Sequence, residues 1–237
     1  MGWVRRAAGL LVVVTAFELV AAAALYSILG VDRTLDLVAR VFSFTYPTVG
    51  GQVAFPLVEW DRTLFHAHTL VTYGHVIFAP LALALGPLQL WPRLRSSRPR
   101  LHRALGIAYV VAQLIGLPCG MTLARWEYGG LTATFGFFFM GATTLVCTGL
   151  GVRAIWGADR AAHREWMIRG YVVMWSGSVV FRYVLLFLLP HLAERPLPDG
   201  FREPYVACVF LSWALGLLAA DIYLTATKGR RSSVQTS

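Results

Sequence analysis

Residues 130–156 read GLTATFGFFFMGATTLVCTGLGVRAIW. The run carries one charged side chain, Arg153, near its end. As an α-helix it would extend about 40 Å, more than the roughly 30 Å of hydrocarbon in a bilayer. It therefore predicts a membrane-spanning helix, and similar apolar runs recur at about 7–30, 66–91, 103–124, 166–190 and 204–227. Together they predict an all-α, six-helix transmembrane bundle forming one integral membrane domain over residues 1–237. The composition agrees. The chain is 57% hydrophobic and 14% charged, with a mean hydropathy of +0.61. A soluble domain averages about 25% charged residues, so this chain has too few to cover a water-facing surface.

The first run follows Met-Gly-Trp-Val-Arg-Arg and could mimic a signal peptide. Its apolar stretch exceeds the roughly 7–15 residues of a signal core, although an Ala-x-Ala-like site lies within 21–24. Retention is the expectation, because cleavage would leave an odd number of helices.

Charge sets the expected orientation. Of 21 Lys and Arg residues, 14 fall in the termini, 92–103 and the 153–169 region, on one side of a six-helix arrangement. Six fall on the other side, and Arg182 lies inside the fifth run. The positive-inside rule then puts both termini in the cytoplasm, in a bacterial inner (plasma) membrane. The net charge of +9 is explained by loops facing anionic lipid and requires no nucleic acid. Cys119, Cys147 and Cys208 stand singly, with no CxxC and no metal spacing.

Between the second and third runs, and again between the fourth and fifth, lies a basic loop. The third run opens HRALGIAYVV at 102 and the fifth HREWMIRGYVV at 163. With a one-residue gap the two match, a weak internal repeat that would bring two His-Arg pairs to one membrane face. On the other side, residues 33–44 alternate charged and apolar positions loosely at helical spacing, which suggests a short surface helix.

Polar residues at membrane depth are costly and mark sites or buried partners. Arg182, His75 and Glu18 could line a polar cavity open to the outer face, where His75 would act as acid or base. A structural Arg182–Glu18 pair is the alternative. His68 and His75 lie seven residues apart, about 10 Å along a helix, too far to share one metal ion; no metal motif is present. His102 and His163 admit three readings. They could ligate a b-type heme from two helices. With Arg103, Arg164 and Arg169 they could hold an anion or lipid head group. They could also simply end their helices at the interface.

An ordered set of motifs carries a resemblance. Gly74-His75, Gly86-Pro87-Leu88-Gln89 and Leu101-His102-Arg103-Ala104-Leu105-Gly106 come first, then His163 to Arg169 and Phe181-Arg182. Over roughly residues 73–183 the chain resembles the bacterial membrane-protein family called domain of unknown function 2306. That resemblance implies a fold and a choice of residues, but no activity. The Leu-His-Arg-Ala-Leu-Gly stretch and His75 are also similar to ligand-bearing segments of cytochrome b-561-type electron carriers. This second likeness implies heme b and electron transfer, with quinone as a candidate partner. The other readings are a heme-free membrane enzyme or carrier for a lipophilic or anionic small molecule, and an accessory subunit bound to another membrane protein.

Overall fold

A computed structural model describes residues 2–42, 48–49, 52–53, 57–181 and 202–235. Apart from a two-residue antiparallel ladder pairing Thr48–Val49 with Gln52–Val53, the described chain is helical. Five helices are long and apolar enough to cross a membrane: Gly9–Leu29, Thr69–Leu90, Pro99–Trp126, Gly130–Trp156 and Arg202–Thr227.

Helix α1 (Gly2–Leu29) ends at Gly30, whose φ of +78° suits a residue without a β-carbon. The chain turns there into α2 (Val31–Phe42), the amphipathic segment expected on the surface, which packs Leu35 and Thr34 inward. Helix α3 (Leu57–Ala67) lies against α2 and carries the charges of Glu59, Asp61 and Arg62. The chain breaks at His68 (φ −132°, ψ 42°) before α4 (Thr69–Leu90). The apolar run expected to start at 66 therefore starts after this break, because the preceding turn belongs to a polar-faced helix.

A short basic helix, α5 (Pro92–Ser97), connects α4 to α6 (Pro99–Leu123). Pro99 occupies the first turn of α6, where its missing N–H costs nothing. Helix α7 (Gly130–Trp156) turns into α8 (Arg160–Trp175) through Asp159. The Asp159 carboxylate accepts from the backbone N–H of Ala161 (3.1 Å) and Ala162 (2.9 Å), a well-formed N-cap. Both helices thus begin earlier than the apolar runs at 103 and 166 suggest, since these start signals lie in polar sequence. After Trp175 the helix widens into a π-helical stretch, Ser176–Val180, and continues to Phe181. The last element is α9 (Arg202–Gln235).

Helices α4 and α6 form one tight hairpin and α7 and α8 another, with α1 laid on α4 and α9 laid on α7 and α8. Close approach has a local cause. A β-carbon on Gly116 of α6 would stand 2.6 Å from the backbone N of Ala79 on α4. The central core holds Ala82, Leu83, Tyr109, Ala112, Tyr171 and Met174. Outward, the bundle exposes Leu10, Phe17, Leu70, Leu131 and Trp156, each at least 65% accessible. Such a surface is costly in water and matched by lipid tails.

Candidate functional site

The connections α4–α5–α6 and α7–α8 lie at one end of the two hairpins, here termed the basic end. His102 is the fourth residue of α6 and His163 the fourth of α8. Both are half-buried. Arg95 and His163 are the electrostatic neighbours of His102. The pair is therefore assembled across two hairpins.

Their hydrogen bonds differ in kind. Nδ1 of His163 lies 2.8 Å from the carbonyl of Gly151 on α7. A carbonyl only accepts, so Nδ1 carries the hydrogen and a neutral ring keeps its lone pair on Nε2. His102 meets the side-chain amide of Gln89, the last residue but one of α4. Assigned so that its oxygen accepts from the Gly106 N–H (3.1 Å), the amide has its nitrogen placed to donate to the His102 carbonyl (3.2 Å) and to His102 Nδ1 (3.0 Å). The first two groups are one-way, which fixes the amide orientation. His102 Nδ1 is then the acceptor, and its hydrogen is on Nε2. The two rings present opposite Nε2 functions, a donor on His102 and an acceptor on His163.

The Gly-Pro-Leu-Gln motif now has a physical reading. Pro87 has no N–H, so the carbonyl of Leu83 lacks its helical partner. The Tyr171 hydroxyl donates to that carbonyl at 3.2 Å. The Tyr171 ring lies over Gly86, where a β-carbon would collide with it. Gln89 then clips onto one turn of α6 at Gly106, which has no side chain to obstruct it. Deeper on that face of α6, Gln113 is fully buried and accepts from Thr148 Oγ1 on α7 at 2.6 Å. Tyr109, 1% exposed, lies beside Gln113 but makes no hydrogen bond through its hydroxyl among the described residues.

Of the expected head-group arginines, Arg103 is exposed and Arg164 half-buried. Arg169 lies further along α8, bonded through Nε to Asp221 on α9 at 2.7 Å. Sequence reasoning singled out the histidines, took in Gln89 only as the end of the Gly-Pro-Leu-Gln motif, and missed Tyr109, Tyr171 and Thr148. Only the Gly-Pro ahead of Gln89 hinted at an unusual helix end.

At the opposite end, His75 bonds through Nδ1 to the Gly116 carbonyl at 2.9 Å. A β-carbon on Gly120 would lie 2.6 Å from that nitrogen, so the ring is seated on two glycines of α6. Glu18 is on the exposed side of α1. Arg182 and His191 lie outside the described residues. His68 stacks on Trp126 with ring centroids 3.8 Å apart, and His66 pairs with Asp32 at 3.1 Å. Arg62 binds Asp32 (2.6 Å) and Asp36 (2.8 Å), with Glu59 at 3.4 Å, tying α3 to α2. Hydrogen bonds from His66 and then Arg62 hold the Asp32 carboxyl below its ordinary range. Hydrogen bonds to Asp32 and Asp36 hold the Arg62 guanidinium above its ordinary value. Among the described residues, no three His, Cys, Asp or Glu side chains stand together as metal ligands.

The tautomers so assigned do not suit a heme held by both His102 and His163. His163 has the tautomer an axial ligand needs, with Nδ1–H on a carbonyl and Nε2 available. His102 has the opposite tautomer, enforced by Gln89. The space leading inward from the pair is filled by Tyr109, Leu83, Tyr171, Met174 and Gln113, none more than 4% exposed.

Compared with known proteins, residues 72–224 match the family described as "Predicted membrane protein (DUF2306)". No curated protein and no solved structure matches the chain.

Proposed function

The chain belongs to the DUF2306 family of predicted membrane proteins, and from that premise we propose a six-span, heme-free protein that binds the hydroxyl-bearing head of a lipophilic small molecule at its basic end. The sixth traverse is α8 continued through the π-helical stretch. The apolar run of the sequence that follows the first turns of α8, residues 166–190, is long enough to cross hydrocarbon as a helix. Six traverses return the C-terminus to the side of the N-terminus. In this proposal that side is the cytoplasm of a bacterial inner membrane, a reading the charge imbalance supports. All 237 residues form one membrane domain in this reading.

The observation that carries the functional part is the different Nδ1 partners of His102 and His163, a Gln89 amide and a Gly151 carbonyl, from which opposite tautomers are assigned. A carbonyl or an ether oxygen can only accept a hydrogen bond. A hydroxyl does both, accepting from His102 Nε2–H and donating to His163 Nε2. A quinol or a long-chain alcohol offers that group on an apolar body. His163 is then the residue able to take the hydroxyl proton as a general base. Arg103 and Arg164 add positive charge at the basic end. His75, with Arg182 and Glu18, is a second proposed polar site toward the opposite face.

Binding of a short-chain quinol and of its dimethyl ether to the protein in nanodiscs tests the reading. The ether keeps the shape but cannot donate to His163. The quinol should bind at least about tenfold more tightly, and His163→Ala should erase the difference. Equal binding of the two compounds overturns the proposal. A Soret band in the purified protein that disappears in His163→Ala would restore the heme reading instead.

A further inference from the structure

A groove of about 570 Å³ opens sideways between α7, α8 and α9. Ala142, Val146, Leu150 and Leu217 form its apolar walls, and Arg169 and Asp221 form its polar end. Val146 is 60% exposed, so the groove faces the surface that lipid tails cover. Its volume is in the range of small-molecule sites, about 300–1,000 Å³.

The polar end has a definite charge pattern. Arg169 donates from Nε to Asp221, and Glu165 stands 3.8 Å from a terminal guanidinium nitrogen. The guanidinium lies over the Trp166 ring, 4.9 Å from its centroid. Its terminal nitrogens make no hydrogen bond among the described residues, although the side chain is only 21% exposed. Such donors at membrane depth require an acceptor. One cation beside two carboxylates complements a zwitterion better than an anion. Arg169 is ten residues beyond the Asp159 cap, about 15 Å along the helix axis. That is close to the depth where phosphate and glycerol groups give way to tails.

We propose that this groove is a binding site for one phosphatidylethanolamine molecule. A fatty chain lies along Val146, Leu150 and Leu217. The phosphate oxygens accept from the terminal N–H groups of Arg169, and the primary ammonium donates to Asp221. The site is separate from the histidine pair and does not depend on what that pair binds.

Native mass spectrometry distinguishes the lipid chemistries directly. Intact protein is extracted from vesicles containing equal phosphatidylethanolamine, phosphatidylcholine and phosphatidylglycerol. Phosphatidylcholine has no N–H on its head group, and phosphatidylglycerol has no ammonium. One phosphatidylethanolamine should be retained at least about fivefold over either competitor. Asp221→Asn should bring the ethanolamine-to-choline ratio to about one. Val146→Trp fills the groove from its lipid side without touching the ion pair, and should abolish retention while the protein stays folded. Preference for phosphatidylglycerol, equal retention of all three lipids, or full retention in Val146→Trp overturns the proposal.

Discussion

At the scale of single residues, one-way hydrogen-bonding partners decide the chemistry of ambivalent side chains. His163 is read from a carbonyl, and His102 from an amide that a carbonyl and an N–H have already oriented. The same logic sets a pH dependence at Asp32. A carboxyl held below its ordinary value lends stability that is fully present above the ordinary carboxylate range and is lost as pH falls through the lowered native value. The contact between α2 and α3 should therefore survive acidification to about pH 4 and loosen only below it. Trp60 of α3 donates to the Trp126 carbonyl at 2.6 Å, so its fluorescence, isolated by difference against Trp60→Phe, should follow that acid step. In Arg62→Met the change should begin at higher pH; an unshifted transition would separate Asp32 from this contact. The histidines were legible in the sequence because nothing in topology calls for histidine at a membrane edge. Gln89 was not, because its importance depends on an antiparallel neighbour 13–17 residues away that pattern reading cannot register. The expected grouping of His75 with Arg182 and Glu18 turns on a residue outside the described segments.

At the scale of elements, hydropathy located helices well and their ends poorly. The apolar runs at 130–156 and 204–227 coincide closely with the helical spans Gly130–Trp156 and Arg202–Thr227. The starts of α6 and α8 fall several residues earlier, at Pro99 and Arg160, because a proline in the first turn and the Asp159 cap act through the backbone rather than through hydrophobicity. The His68 break and the Ser176–Val180 π-helical stretch carry no signal in composition at all. Glycine is the element-scale determinant of hairpin packing, and it differs from place to place. Gly116→Ala should force α4 and α6 apart and cost about 1–3 kcal/mol of stability. Gly149→Ala meets nothing within 4 Å and should stay within about 0.5 kcal/mol. Thermal unfolding of the two variants in one detergent checks the contrast; equal losses would show that the α4–α6 contact is looser than described.

At the scale of the whole molecule, two glycine-packed hairpins flanked by α1 and α9 place both basic connections at one end, which is why residues 61 positions apart can act as a pair. The proposed topology crosses the membrane six times. Single-cysteine variants Gly2→Cys, Ser96→Cys, Ser233→Cys and Glu203→Cys, labelled in intact cells and in inverted vesicles, should place the first three on one side and Glu203 on the other. Gly2 and Ser233 on opposite sides would mean five traverses. The proposal at the basic end is narrower: His102 and His163 carry opposite tautomers, one with a donor and one with an acceptor at Nε2. Long-range ¹H–¹⁵N correlation spectra of protein labelled only in its six histidines test it most directly, with Gln89→Leu and His163→Ala giving the assignments. At neutral pH the account predicts hydrogen on Nδ1 of His163 and on Nε2 of His102, the second preference being lost in Gln89→Leu. The same tautomer on both rings would contradict it.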